Sequence, residues 1–250
     1  DNWLVGKEWY LAAQDLVDNQ NVPLRGKNPI VFHTHPAMGQ INYATAIEEE
    51  GTFGEVAQLA WTRAQQEWKD YGEREFDMHG NKIRLEDFDL SLKLYQEKAA
   101  ALEALHPGLR EQIFNMKLEN LSDEEKALIE KNRMTLTQEE RVQLGDLGQR
   151  LDVSLLEVAE NIPAVNREEA RELASEAMNY FNKLELIDNS RNQVNYRYWK
   201  VRCEAERTED ALTARRLLYE GDRAYKGVVD WQTVREKFEE GLHGVVVVVD

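Results

Sequence analysis

The sequence predicts an all-α protein that carries one small β-hairpin. Residues that favour helices, namely Ala, Leu, Glu, Gln, Arg and Lys, dominate most windows of the 250-residue chain. Five prolines and fourteen glycines are few for this length, so long irregular segments are not expected. Apolar residues recur every three or four positions over much of the chain, which is the period of an amphipathic helix.

A helical face repeats near the C-terminal end. Four residues spaced by three, four and three positions recur 35 residues later: Tyr196, Trp199, Cys203 and Glu206 align with Trp231, Val234, Phe238 and Gly241. This spacing places each set of four on one side of a helix. A face that repeats at about 34 residues is typical of stacked helix–turn–helix units, so this part is predicted to form an array of paired helices.

The N-terminal region is predicted to contain three helices, at 4–17, 37–50 and 53–71. In the first helix, the apolar period of 3.6 residues groups Trp9 and Leu16 with the other apolar residues. Pro36 stands near the first turn of the second helix, a favoured position for proline. Thr52 and Glu55 have the spacing of a capping box at the start of the third.

A β-hairpin is predicted between these helices and the middle of the chain. Its two short strands face each other across a turn: Glu75, Phe76 and Asp77 precede His79-Gly80-Asn81, and Lys82, Ile83 and Arg84 follow it. Gly and Asn accept the positive φ angles that a tight turn needs.

The region 86–160 is rich in Glu, Lys and Gln and poor in aromatic residues, which predicts a charged helical insert. Helices are expected at 86–105, 109–118, 123–131, 138–150 and 153–161, the last either continuing the fourth or following a kink at Asp152. Ser122 with Glu125 and Thr137 with Glu140 are predicted capping boxes. Because few large apolar residues are present, we expect the insert to be the most mobile part of the folded chain, or to be ordered by a partner.

A strong apolar pattern returns at Arg167. Further helices are expected at 194–205, 211–225 and 231–242, before a run of five valines, Val245–Val249, that could form a short strand. The predicted organisation is an N-terminal helical region at 1–72, the hairpin and insert at 73–165, C-terminal repeats at 166–243 and a tail at 244–250.

The residues of the repeated face support a named resemblance. Asp230-Trp231, Val234, Phe238 and Gly241 match the second half of a tetratricopeptide repeat, Leu218, Gly221 and Tyr225 match the first half, and Tyr43, Ala44, Gly51, Phe53, Ala57 and Trp61 form another candidate. The chain therefore resembles tetratricopeptide-repeat proteins over about half its length. The resemblance implies an α-solenoid with helical hairpins at both ends and a surface that binds other proteins.

The whole chain also resembles an uncharacterised planctomycete family, some members of which carry the label "iron responsive element". The aromatic opening, the segment from Phe32 to Met38 and the turn from Glu48 to Phe53 carry this resemblance. It implies a soluble region attached to a membrane-embedded N-terminal part. The chain begins at Asp1 without Met, which is consistent with such a preceding anchor. The soluble region could then be either periplasmic or cytoplasmic.

Charge and composition narrow the classes of partner. The net charge is −16, which argues against nucleic acid, because phosphate binding needs a basic surface. The sequence contains no run of 18 or more apolar residues, so no membrane-spanning helix is expected in it. The single cysteine, Cys203, falls on an apolar helix face and is predicted to be a buried, inert thiol.

Candidate metal ligands occur at three places. His33-Thr34-His35-Pro36 resembles the start of the zinc motif of JAMM-type isopeptidases, but Ala44 and Ile47 stand where that motif has a Ser and a ligating Asp. Glu103 with His106, and Glu240 with His243, have the spacing used in di-iron helical bundles. Both pairs lie at predicted helix ends, next to glycine or proline, so no metal site and no cofactor is expected.

The function expected from the sequence is a non-catalytic scaffold or adaptor that binds protein partners within a larger, membrane-attached assembly. Candidate partner-binding residues lie in the C-terminal repeats: Arg197, Arg202, Arg215, Arg216 and Tyr219. The alternative is a metal-binding protein or metal-dependent enzyme that uses the histidines and glutamates above. Phosphate-binding glycine loops and spaced catalytic triads are absent from the sequence.

Overall fold

The computed structural model of the protein is 80% helical and contains a two-stranded antiparallel sheet, which confirms the predicted fold class. The structure describes residues 2–19, 21–22, 26, 28–78, 80–227 and 231–249. Within its helices, the side chains at 2–4, 7, 14, 18, 233 and 242–249 lie outside that description.

The helices and strands follow one another along the chain with short connections. They are α1 Asn2–Asp18, α2 Pro29–Phe32, α3 His35–Glu49, α4 Glu55–Glu73, β1 Phe76–Met78, β2 Asn81–Ile83, α5 Phe88–Leu105, α6 Leu109–Glu119, α7 Asp123–Glu130, α8 Gln138–Leu151, α9 Leu155–Asn161, α10 Arg167–Gln193, α11 Tyr196–Glu206, α12 Glu209–Gly227 and α13 Trp231–Val249. The valine run continues α13, whereas a short strand was one expectation from the sequence. In the described residues, no helix is long and apolar enough to cross a membrane.

Contacts divide the chain into two compact units. Unit 1 combines the two ends of the chain, residues 1–87 and 186–250, and unit 2 comprises residues 88–185. The sequence-based boundaries at 72, 165 and 243 stay predictions.

Local capping explains where the helices of unit 2 begin. In the two predicted capping boxes, the Ser122 and Thr137 side chains accept hydrogen bonds from the backbone N–H of Glu125 and Glu140, and both glutamates bond back. These reciprocal bonds satisfy donors that a helix N-terminus leaves unpaired. Asp152 separates α8 from α9, so α9 is a distinct helix rather than a continuation.

The predicted capping box at Thr52 is wrong. Gly51 has a φ of +84°, and the backbone N–H of Thr52 donates to the carbonyl oxygen of Ile47. This six-to-one hydrogen bond is the Schellman closure of α3, so Thr52 belongs to the end of one helix. The N-cap of α4 is Gly54, whose φ of +76° suits a residue without a Cβ atom.

The β-hairpin has the predicted register. Phe76 pairs with Ile83 and Asp77 with Lys82, while Gly80 occupies the turn with a φ of +87°. The Asp77 carboxylate accepts a hydrogen bond of 2.7 Å from the backbone N–H of Gly80, which closes the turn.

An aromatic cluster forms the centre of unit 1. The indole ring of Trp68 stacks on Tyr196 with 5.6 Å between ring centroids, and its Nε1–H donates to the Tyr196 carbonyl oxygen over 3.0 Å. Tyr71 and Phe76 pack beside it, so residues from α4, β1 and α11 share one core. Burying such rings contributes more than any other side chains to the stability of a core.

Several aromatic and apolar residues that the sequence pattern assigned to the core are exposed. Trp9 is 72% exposed, Leu16 59% and Trp231 62%. The side of α1 that faces α3 carries Tyr10, which lies against Gly39. The helical period identified these residues correctly as helical, but it could not say which side faces a neighbour.

Unit 2 has a core of its own. Leu102, Ile113, Val158 and Ile162 are buried together with three alanines of α10, namely Ala170, Ala174 and Ala177. A smaller cluster contains Leu121, Leu147 and Leu151. Each of the eight residues of α7 remains at least partly exposed, so this helix is held mainly by local bonds.

Hydrogen exchange should therefore be faster in α7 and its flanking residues than in α4. We expect amides at 123–136 to exchange on the order of a hundredfold faster than those at 57–71, because local opening follows the density of buried contacts. Exchange read by mass spectrometry on the intact protein measures the difference. Equal protection of the two segments would contradict it.

Candidate functional site

His33 and His35, the candidate metal ligands of the first motif, have different hydrogen-bond partners in the structure. His33 Nδ1 accepts a hydrogen bond of 2.7 Å from the guanidinium of Arg74, and its ring packs against Phe76. His35 Nδ1 lies 2.8 Å from the carbonyl oxygen of Phe32, a contact within the turn that enters α3. Ala44 and Ile47, which stand at the positions of the missing zinc-motif residues, are buried in the core.

The two Glu–His pairs belong to different parts of the chain. Glu103 and His106 end α5 in unit 2, whereas Glu240 and His243 lie on α13 in unit 1, and the His243 side chain falls outside the described residues. The described part of the chain contains no group of three or more His, Cys, Asp or Glu residues that could hold a metal ion. The metal-binding role of these residues has no supporting geometry there.

Cys203 is buried on α11, as the sequence predicts. Burial raises the pKa of its thiol to about 12, so at neutral pH it is protonated. A protonated, enclosed thiol is a poor nucleophile, which is consistent with a packing role.

Two of the predicted partner-binding arginines meet a buried carboxylate. Glu206 is 7% exposed, and Arg215 donates to both of its oxygens, with Nε at 3.0 Å and a second, shorter bond from an Nη atom. Arg202 Nε lies 3.5 Å from the same carboxylate, and its guanidinium stands over the rings of Trp61 and Trp199 at 5.5 and 5.4 Å. Burial by itself would lower the pKa of Arg215, but the ion pair with Glu206 outweighs it and raises the pKa.

A second buried carboxylate stands near this pair. Glu48 is 6% exposed and accepts a hydrogen bond of 2.7 Å from the Nε1–H of Trp61. Burial raises the pKa of Glu48, the Trp61 hydrogen bond opposes that rise, and the charge of Glu206 adds to it. We call Glu48, Trp61, Arg202, Glu206 and Arg215 the Glu206 cluster.

Beside the Glu206 cluster, two clefts follow α12 and meet at Phe53. The first, of about 270 Å³, is lined by Thr45, Glu48, Glu49, Phe53, Arg215, Leu218 and Tyr219. The second, of about 360 Å³, is lined by Phe53, Gly54, Glu55, Gln58, Glu209, Leu212, Thr213 and Arg216. Since they share Phe53, we treat them as one surface feature, the α12 groove.

The α12 groove has an aromatic centre of defined shape. The rings of Phe53 and Tyr219 meet edge to face with 5.5 Å between centroids. Tyr219 also packs on Gly51, where a Cβ atom would overlap its ring, so the turn after α3 has to carry glycine there for two reasons. Arg223 lies over the Tyr219 ring at 5.9 Å.

Three of the five predicted partner-binding residues therefore line the α12 groove, namely Arg215, Arg216 and Tyr219. Arg202 supports the groove from behind through Glu206, and Arg197 is exposed on α11 without lining either cleft. Their role in binding stays a prediction.

Sequence reasoning missed Glu48 and Phe53 as parts of this site. The sequence did contain a signal for the burial of Glu48 and Glu206, because each occupies a position on the apolar face of its helix. Glu48 follows Ile47 directly, and Glu206 comes three residues after Cys203. A carboxylate at such a position has to be buried with a partner or turned outward.

No family model, curated protein or solved structure matches the chain.

Proposed function

We propose that the protein is a non-catalytic scaffold that binds a segment of a partner protein in the α12 groove. The observation that carries the proposal is the position of Arg215 and Tyr219 in one cleft and of Arg216 in the next, with Phe53 lining both. Tyrosine and arginine dominate the energetics of protein interfaces, because each combines a large contact area with directed polar groups. The resemblance to tetratricopeptide-repeat proteins supports the same class of function.

The charges of the groove favour a basic segment as its occupant. Three exposed carboxylates line it, those of Glu49, Glu55 and Glu209, together with the buried Glu48 and the guanidinium groups of two arginines. The charge of Arg215 is already balanced by Glu206 behind it. The surface offered to a partner is therefore acidic, and the net charge of −16 attracts a basic chain at long range.

The groove is also held in shape before a partner arrives. Arg215 is bonded to a buried carboxylate, and the Gly51 turn seats Tyr219 against Phe53. Side chains that are ordered in the unbound protein lose less conformational entropy on binding, so a short segment can bind with useful affinity.

We further propose that the partner belongs to a membrane-attached assembly. The support for this part is the resemblance to the planctomycete family, which implies a soluble region attached to a membrane-embedded part.

Site-specific photocrosslinking in cells tests the proposal. A benzoylphenylalanine at Thr213 faces the α12 groove, whereas one at Lys69 is exposed on α4 and lines neither cleft. We expect a dominant adduct at Thr213 and not at Lys69, with a crosslinked peptide rich in Lys or Arg.

Two neighbouring glutamates provide a charge-matched control. Glu49 lines the groove and Glu50 does not, although both are exposed at the end of α3. Glu49→Lys should lower the Thr213 adduct by about tenfold or more, because like charges across an interface cost several kcal/mol, while Glu50→Lys should leave it unchanged. Equal amounts of adduct at Thr213 and Lys69, or equal effects of Glu49→Lys and Glu50→Lys on the Thr213 adduct, would overturn the proposal.

A further inference from the structure

The hairpin of α7 and α8 in unit 2 combines strong local order with little burial. Both helices begin with a complete capping box, and two ion pairs join them: Arg150 to Glu125 at 2.5 Å and Lys131 to Glu140 at 2.7 Å. The buried cluster beneath contains three leucines. A segment that is shaped by local bonds and packs thinly on the core is suited to present a surface rather than to support a core.

A groove of about 790 Å³ lies between the two helices. The ion pairs bound it, since one joins the start of α7 to the end of α8 and the other joins the opposite ends. Leu128 and Leu147 lie along its floor, and Ala127 leaves room above them. The side chains of the two leucines are held by the cluster below, so the floor is apolar and ordered.

The charges of the groove are unbalanced. Lys131 and Arg150 are each paired with a glutamate, whereas Glu124 and Asp146 form no ion pair within the part of the chain that the structure describes. An apolar floor with two unpaired carboxylates on its rim complements a segment that carries apolar residues on one face and cations beside them. Ile129, Met134 and Val142 of the same segment are also exposed, although none of them lines the groove.

We propose that the α7–α8 groove is a second docking site and that it binds a short basic amphipathic helix of a partner protein. The backbone groups of the groove walls are already bonded within their helices, so an extended peptide would find no main-chain partners there, unlike at a sheet edge. A helix satisfies its own backbone and needs only side-chain contacts. The eight residues of α7 span about 12 Å, enough for roughly two turns of such a helix.

The test is a fluorescence-polarisation titration with a labelled 14-residue peptide of Leu and Lys in a helical amphipathic pattern. The titrated protein carries Glu49→Lys, which places a positive charge in the α12 groove and should weaken the binding of basic segments there. Failure of the proposed function and failure of this inference therefore remain distinguishable. A peptide of the same composition in scrambled order, and one with Glu in place of Lys, are the probe controls. We expect saturable binding of the amphipathic basic peptide alone.

Charge-matched variants separate the groove from the general acidity of the chain. Gln143→Lys with Asp146→Lys changes two exposed groove positions, and Gln112→Lys with Glu119→Lys makes the same charge change on exposed positions of α6 outside the groove. The first pair should weaken binding by about tenfold or more, equivalent to about 1.4 kcal/mol, and the second by less than about twofold.

A neutral variant, Ala127→Phe, should also abolish saturable binding, because it fills the groove without changing its charge. Circular dichroism confirms that each variant is folded. Equal losses from both lysine pairs, equal binding of the scrambled or acidic peptide, or unchanged binding to Ala127→Phe would each overturn the inference.

Discussion

Gly72→Ala should destabilise unit 1 by about 3 kcal/mol, at the upper end of the range for overpacked cores. A Cβ atom at this position would overlap the hydroxyl oxygen of Tyr196 and crowd its ring. Both backbones belong to packed helices, so neither can withdraw without moving the aromatic cluster. For a chain of this size the melting temperature should fall by about 6–12 °C.

Tyr196 cannot yield easily because both its ring and its hydroxyl group are held. Its ring is 1% exposed and stacks on Trp68, and its hydroxyl donates to Glu86 over 2.5 Å. Lys200 donates to both oxygens of the same carboxylate over 2.9 Å, which holds Glu86 in place.

Two controls make the Gly72 result specific. Gly145 is also inside a helix, with no atom within 4 Å of a Cβ there, so Gly145→Ala should stabilise by about 0.5–1 kcal/mol through helix propensity alone. Tyr196→Phe removes the overlapping oxygen, so in the double variant with Gly72→Ala the combined loss should be smaller than the sum of the two. Urea denaturation measures the free energy of unfolding of these four variants and of the wild type. Equal effects of Gly72→Ala and Gly145→Ala would contradict the packing argument.

Glu206→Gln should destabilise the protein by about 2–3 kcal/mol. The substitution leaves the guanidinium groups of Arg202 and Arg215 without their carboxylate in a partly buried site, where an unpaired charge is costly. The expected loss is below that for fully buried pairs because the Arg215 side chain is 42% exposed and water screens it.

Glu48→Gln should instead stabilise the protein at neutral pH and raise its free energy of unfolding by up to about 1 kcal/mol. Burial raises the pKa of Glu48 above its ordinary value of 4.5, so the folded protein favours the protonated carboxyl. The neutral amide still accepts the Trp61 hydrogen bond without the cost of a buried charge.

The pH dependence of the Glu48→Gln gain follows from the direction of that shift. Below the unfolded pKa, Glu48 is protonated in both states and wild type and variant should be equally stable. As the pH rises through the folded pKa, wild type loses stability and the variant does not, so the gain should grow from pH 4 to pH 7. A gain that is constant over this range, or a loss at pH 7, would show that Glu48 is not buried at a net electrostatic cost.

These two carboxylates also connect stability to the proposed function. Glu206 holds Arg215 at the wall of the α12 groove, so Glu206→Gln should weaken partner binding beyond its effect on folding. Glu49→Lys changes the groove without touching the Glu206 cluster, which lets the two effects be measured apart.

The sequence by itself determined the helices, the hairpin and most of their ends. The capping boxes at Ser122 and Thr137 and the pairing of Phe76 with Ile83 follow from hydrogen bonds between residues a few positions apart, whereas the sequence left open whether α9 continues α8 or follows a kink at Asp152. Such bonds depend on the local order of residues and little else. The Thr52 error had the same local origin, because two overlapping signals competed and the Gly51 closure of α3 prevailed.

Tertiary structure alone decided which helical faces are buried and which residues meet. Tyr196 and Trp231 are each the first residue of a helix and occupy equivalent positions of the repeated pattern, yet one is 1% and the other 62% exposed. The difference arises because α4 packs against α11 and supplies Trp68, a residue more than a hundred positions away. The α12 groove likewise joins the end of α3 and the connection after it to α12, and no spacing within a helix could reveal that Phe53 and Tyr219 face each other. Burial depends on the neighbour that covers a face, and that neighbour is chosen by the packing of the whole unit.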